Sequence, residues 1–232
     1  MTSVIAHRGC GVGSLENTLR GMQQALDWGV DGVEFDVWAS EDGQVVVFHD
    51  ETLDRTTNGK GPISNYTLKE LQQLDAGEGE RIPTLHEMLT LLKPHENLLV
   101  NVEIKQPGIE EVVLQMVQEM GMAKQTMISA FNHEVLQRVN ALDSEISCAL
   151  LYTDEKDPVE LAKKLGCKGL HPLFPAATKE LVWTCKEEGL HVIPWTVNFE
   201  EEMLRLLGLM VDGIITDVPP LLLGLLYPEG GW

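Results

Sequence analysis

Two histidines, three carboxylates and two cations stand on or just after apolar, strand-like runs of this chain: His7 and Arg8 after Val4 to Ala6, Glu34 and Asp36 in GVEFDV, His49 after Val45 to Phe48, and Glu103 and Lys105 in LLVNVEIK. A charged group on such a run must pair, bind a metal or shift its proton affinity, because an unpaired buried charge is costly. The residue types divide by chemistry. Three carboxylates make an oxygen-rich site for one divalent cation, Mg2+ or Ca2+. Histidines accept and donate protons near neutral pH, and Arg8 and Lys105 suit an anionic substrate. A phosphodiester uses all of these: cations stabilise its phosphoryl oxygens while one histidine takes a proton from the nucleophile and the other protonates the departing alkoxide.

Spacing supports convergence. Glu34 and Asp36 lie two apart on a strand and share a face, and Glu103 and Lys105 repeat the arrangement. Ion pairing of Glu34 and Glu103 with Arg8 and Lys105 is the competing reading, and either histidine could instead be a metal ligand or an ordinary hydrogen-bonded residue. Two cations do not neutralise three carboxylates, so the charge count favours a metal. Glu16 and Asn17 open the first long helix, as caps or as supports for the metal and phosphate. Asp50 is the polar neighbour of His49. Gly9 and Gly11 allow the loop after the first run to approach a ligand closely. The stretch from Gly9 to Gly13 departs from GxGxxG and is not a dinucleotide fingerprint. Cys10 follows His7 by three residues, but nothing around it prepares a thiolate.

The elements that must position these groups alternate. Strand Val4 to Ala6 precedes helix Leu15 to Trp28. Strand Asp31 to Trp38 is followed by an Asp42-Gly43 turn and the returning run Val45 to Phe48. Residues 50–82 are turn-rich, with Thr67 capping a short helix through Leu74, and read as a small insertion beside the site. From Pro83 the alternation is plain, with strands at Leu98 to Ile104, Thr126 to Ser129, Ser147 to Leu151, Gly169 to Leu170, His191 to Pro194 and Gly213 to Thr216, and helices between them. Eight such units favour a (β/α)8 TIM barrel with an insertion after the second barrel strand, over 1–232 as one domain. Residues at C-terminal strand ends then meet at one mouth: His7, Asp36, Glu103, Ser129, Trp195 and Thr216. The leucines between Pro219 and Tyr227 are expected to close the barrel bottom or pack against a neighbour, and 228–232 to form a tail.

Composition narrows the partners. Lys plus Arg number 17 against 36 acidic residues, a net charge of -19 that argues against nucleic acid, which needs a positive footprint. No run reads as a signal peptide or an integral membrane segment, and the four cysteines show no metal spacing and fit a reducing, cytoplasmic setting. The sequence specifies no oligomeric state.

The order HRG (His7 to Gly9), ENT (Glu16 to Thr18), GVEFDV, HD (His49-Asp50), DRTTNGKG (Asp54 to Gly61), IPTL (Ile82 to Leu85), VEIK (Glu103 and Lys105), Ser129 with Phe131, WTVN (Trp195 to Asn198) and DGIITDVP (Asp212 to Pro219) resembles the glycerophosphodiester phosphodiesterase family across nearly the whole chain. The resemblance implies a TIM barrel that cleaves small glycerophosphodiesters, with a metal, to glycerol 3-phosphate and an alcohol. It implies Glu34, Asp36 and Glu103 as metal ligands with Glu16 nearby, His7 and His49 as the acid-base pair, Arg8 and Lys105 as phosphate-binding cations, and Trp195 as an aromatic wall beside the glycerol or leaving group. Leu15 stands where many relatives have proline, and Val218 where they have arginine or tyrosine-type residues; both bear on loop geometry and headgroup preference. A lysophospholipid or sphingolipid phosphodiesterase of phospholipase D type, and a non-catalytic phosphate-binding barrel, are the alternatives.

Overall fold

The computed structural model describes residues 1–11, 13 and 15–228. Its strands are β1 (Ser3–His7), β2 (Gly32–Ala39), β3 (Val45–Val47), β4 (Leu99–Ile104), β5 (Thr126–Ala130), β6 (Ser147–Tyr152), β7 (Gly169–Pro172), β8 (His191–Val192) and β9 (Gly213–Thr216). All but β3 are parallel, in the order β8-β7-β6-β5-β4-β2-β1-β9, while β3 returns antiparallel on β2. The ends of that order meet. Asp212 N–H donates to the Val192 carbonyl and Ile215 N–H to that of Pro194, both at 3.0 Å, and Val197 N–H donates to the Ile215 carbonyl at 2.9 Å. The sheet thereby closes into the expected (β/α)8 barrel.

Helices α1 (Leu19–Asp27), α2 (Leu68–Leu71), α3 (Leu85–Leu92), α4 (Glu110–Glu119), α5 (His133–Leu142), α6 (Pro158–Leu165), α7 (Lys179–Glu187), α8 (Glu200–Leu209) and α9 (Pro219–Leu226) follow in chain order, with α2 inside the insertion. Alternate residues of each strand face opposite ways. Val33, Phe35 and Val37 of β2 join Met88, Leu89 and Leu92 of α3 in the large cluster between barrel and helices. Glu34 and Asp36 are thereby turned to the barrel axis. Lower in the barrel that axis is apolar, filled by Ile5, Met127, Ala149, Ile193 and Ile215. The insertion has its own small apolar centre, Val46, Phe48, Leu53, Ile63, Leu71, Ala76 and Ile82, against which Trp38 of β2 packs.

Several boundaries differ from expectation for identifiable reasons. Helix α1 begins at Leu19 instead of Leu15, because Asn17 adopts a left-handed φ of 58° and Thr18 is the cap, its hydroxyl accepting Gly21 N–H at 3.0 Å. Strand β8 is only two residues long, since Pro194 has no N–H to donate to a ladder. Helix α2 stops at Leu71, three residues early. The C-terminal leucines form α9 in the outer ring, with Leu222 and Leu223 buried in the large cluster, and do not floor the barrel. Beyond Pro228 the expected tail, with Trp232, lies outside the described residues. Among those described, no helix is long and apolar enough to cross a membrane.

Candidate active site

At the end of β1 the chain turns sharply. Arg8 sits at φ 53°, a left-handed conformation that strains a side chain of this kind and persists only where its surroundings hold it. Here they do: Arg8 N–H donates to Glu34 Oε2 at 3.0 Å, and the Arg8 carbonyl accepts Asn17 N–H at 3.0 Å. At Gly11, φ 85°, an added Cβ would lie 2.4 Å from the Asp217 carbonyl. The glycine here serves a close approach to the chain's own segment after β9, and not to the ligand expected beside this loop.

Parallel register places the acids side by side. Asp36 is opposite Glu103, Glu34 opposite Asn101, and His7 opposite Glu34. Glu34, Asp36 and Glu103 are buried and each offers an oxygen within 4.8 Å of the others. Lys105 Nζ is 2.6 Å from Glu103 Oε1 and 3.3 Å from Asp36 Oδ1, and Arg8 Nε is 3.5 Å from Asp36 Oδ2. Asn17 Nδ2 donates to Asp36 Oδ2 at 2.8 Å. Of the expected ion pairs, Glu103 with Lys105 is present, whereas the Arg8 guanidinium turns to Asp36 and Glu16 and gives Glu34 only its backbone N–H, so the trio is incompletely compensated. Burial, with Asp36 and Glu103 nearby, holds Glu34 well above the usual carboxylate range. Burial and then Asp36 push Glu103 up to about 7. Asp36 is held below its usual range: burial opposes this, but Lys105 and Arg8 prevail. Asp36 Oδ1 and Asn101 Oδ1 are buried with no hydrogen-bond partner. An all-oxygen trio that resists carrying three charges, with the unbonded Asn101 Oδ1 beside it, fits a hard divalent cation.

The two histidines are built alike. His7 Nδ1–H donates to Asp217 Oδ1 at 2.7 Å, leaving Nε2 3.8 Å from Glu34 Oε2. Asp217 is held in turn by Asn198, whose Nδ2 donates to Asp217 Oδ2 at 2.6 Å and whose Oδ1 accepts Asp217 N–H at 2.9 Å. Thr216, expected at the mouth, supports this from behind by donating its hydroxyl to Asn198 Oδ1 at 3.2 Å. His49 Nδ1–H donates to Asp50 Oδ1 at 2.5 Å, and Trp38 Nε1 donates to the His49 carbonyl at 2.9 Å. Burial, with Lys105 and Arg8 acting against Asp36 and Asp50, lowers the proton affinity of His49. Neither ring belongs to the acidic trio.

Glu16 and Asn17 do not open a helix. Asn17 orients Asp36, whereas Glu16 is turned from the trio by Arg8 Nη1 at 2.9 Å and by two Arg55 nitrogens at 2.7 Å each. Trp195 is half-buried on the wall of a cavity it shares with His7, Glu34, Asn101 and Glu103. Its Nε1 donates to the His171 carbonyl at 2.8 Å, and Phe131 meets it edge to face with centroids 5.4 Å apart. Ser129 lies opposite Glu103, Asn132 caps α5, and His171 is buried with its proton affinity pushed well down by desolvation. Burial raises the proton affinity of the Cys10 thiol, which disfavours the thiolate. Sequence reasoning missed Asp217, Asn198, Asn101 and Arg55 as individual residues. The alternation of β9 was the available signal for Asp217, which follows Ile215 on the inward face.

The chain matches the model of the Glycerophosphoryl diester phosphodiesterase family over residues 7–221. It is 41% identical over 242 residues to a glycerophosphodiester phosphodiesterase of Caldanaerobacter subterraneus subsp. tengcongensis, covering 99% of each chain. A glycerophosphodiester phosphodiesterase of Bacillus altitudinis is 36% identical, over 94% of this chain and 96% of that one. Among solved structures, an Oleispira antarctica phosphodiesterase in complex with the product sn-glycerol-3-phosphate superposes with a TM-score of 0.85 at 34% identity, over 94% of each chain. The chain therefore belongs to the glycerophosphoryl diester phosphodiesterase family and is an enzyme of that class.

Proposed function

We propose that this enzyme hydrolyses small glycerophosphodiesters to glycerol 3-phosphate and an alcohol, with one divalent cation, Mg2+ or Ca2+, held by Glu34, Asp36 and Glu103. The observation that carries the reading is the meeting of that buried trio with two histidines, each backed on Nδ1 by an aspartate. That backing fixes which nitrogen faces the substrate, so both Nε2 atoms are presented for proton transfer. Bound there, the cation supplies charge for the phosphoryl oxygens. Arg8 and Lys105 hold the phosphate. His49, kept neutral by burial and the cations beside it, takes the proton from the nucleophilic hydroxyl. His7, standing between Asp217 and Glu34, delivers a proton to the leaving alkoxide. Trp195 walls the glycerol or alcohol subsite. All of 1–232 is assigned to this catalytic barrel and its 50–82 insertion, and the four free thiols support a cytoplasmic setting.

Phe131, 42% exposed beside Trp195, favours a second reading in which the alcohol is carried on a lysolipid. One panel addresses both: glycerophosphocholine, glycerophosphoethanolamine and lysophosphatidylcholine, with metal-reconstituted protein, chelated protein and His49→Ala. Metal-dependent glycerol 3-phosphate release lost in the variant supports the first reading. Choline release from lysophosphatidylcholine alone supports the second, and no release from any member, with folding and metal occupancy verified, overturns both.

A further inference from the structure

His49 and Asp50 are consecutive in a bend after β3, where no strand or helix geometry fixes how their side chains lie. Asp50 nonetheless reaches back to the His49 ring, though its side chain is 24% exposed and water competes for its oxygens. A third group holds it there. Arg55 Nε donates to Asp50 Oδ2 at 2.7 Å and Nη2 to Oδ1 at 3.0 Å, which fixes the carboxylate plane with Oδ1 toward the imidazole. The same guanidinium donates to both oxygens of Glu16, at 2.7 Å each, and Glu16 is buried, bonded to Arg8, and 3.1 Å from the Gly13 N–H. One arginine thus joins the insertion to the loop after β1.

We propose that Arg55 is a positioning residue for catalysis: it clamps Asp50 against His49, fixes the ring in its Nδ1–H tautomer with Nε2 toward the substrate, and anchors that assembly to Glu16 beside Arg8. The role rests on the function proposed for His49, but it concerns a residue outside the acid-base pair and the metal trio. Lysine cannot replace it, because one ammonium lacks the planar fork that serves two carboxylates at once.

The test uses full-length, metal-loaded protein carrying 15N-labelled histidine. In wild type, His49 should give the nitrogen shifts of a single Nδ1–H tautomer. Arg55→Gln and Arg55→Lys should both show mixed tautomers at His49 with His7 unchanged. On a glycerophosphodiester, kcat should fall about tenfold or more, part of the 10²–10⁴ that acid-base catalysis contributes, with KM within threefold. In an Asp50→Asn background the Arg55 effect should shrink to less than threefold. An unchanged His49 spectrum, full kcat in both variants, or an undiminished Arg55 effect in the Asp50→Asn background would each overturn the proposal. Because the tautomer is read without turnover, an inert wild type would refute the proposed substrate class while leaving this inference testable. If the Gln variant fails to fold, the Lys variant and Asp50→Asn carry the same comparison.

Discussion

The mouth of this barrel has two unlike halves. The arc built by β9, β1, β2, β4 and the insertion carries Asp217, His7, Arg8, Glu34, Asp36, His49, Glu103 and Lys105, nearly all joined by ion pairs or charged hydrogen bonds. The arc from β5 to β8 supplies Ser129, Phe131, Leu151, Trp195 and a buried, uncharged His171. Under the proposed function, the first arc does the chemistry and the second selects the alcohol. Charges concentrated in one arc can converge on a single phosphoryl group, whereas a weakly polar wall makes few directional demands on the alcohol.

If that division holds, breaking the charged arc abolishes turnover of every substrate alike. Glu103→Gln and Asp36→Asn should each cost about 10³-fold in kcat with loss of metal binding in calorimetry, because a bound metal supplies several kcal/mol of charge stabilisation and 1.36 kcal/mol is tenfold. His7→Ala and His49→Ala should lower kcat by about 10²–10⁴-fold while metal affinity stays within threefold, a separation that calorimetry and steady-state rates together reveal.

The pH dependence sharpens the same comparison. Glu103, near 7, and Glu34, well above its usual range, bind protons more tightly folded than unfolded. For such groups the contribution to metal-free stability is fully present below about pH 4.3, the ordinary glutamate value, and is lost as pH rises through the folded-state value, about 7 for Glu103. Metal competes with those protons. The rise in Tm on adding saturating Mg2+ or Ca2+ should therefore grow between pH 5 and pH 8, and Glu103→Gln should flatten that trend. The smallest effect belongs to the other arc. An edge-to-face aromatic pair is worth about 0.5–1.5 kcal/mol, so Phe131→Ala or Trp195→Ala should shift KM by up to about tenfold. The shift should differ between choline, ethanolamine and lysolipid substrates; a uniform loss in kcat would erase the distinction between the arcs.

Most of the charged arc was legible because its residues lie on strands or shortly after them. Glu34, Asp36 and Glu103 interrupt apolar runs at period two, and the parallel register then makes Asp36 and Glu103 neighbours. The barrel was legible for the same reason, in the repeated strand and helix lengths. What escaped was long-range and loop-borne. Asp217 meets His7 across 210 residues, and Arg55 reaches Glu16 across 39, through an insertion whose path no periodicity encodes. Glu16 and Asn17 read as helix because Leu19, Met22 and Leu26 continue the helical spacing; the left-handed φ of Asn17, which aims its amide at Asp36, leaves no mark on that pattern.

The most direct test of the central claim is to titrate chelated enzyme with Mg2+ or Ca2+ while following both bound metal and glycerol 3-phosphate released from glycerophosphocholine. The account predicts negligible release without metal and a rate that saturates as occupancy reaches one ion per chain. Full turnover by the metal-stripped protein, unmoved by either cation, would contradict it.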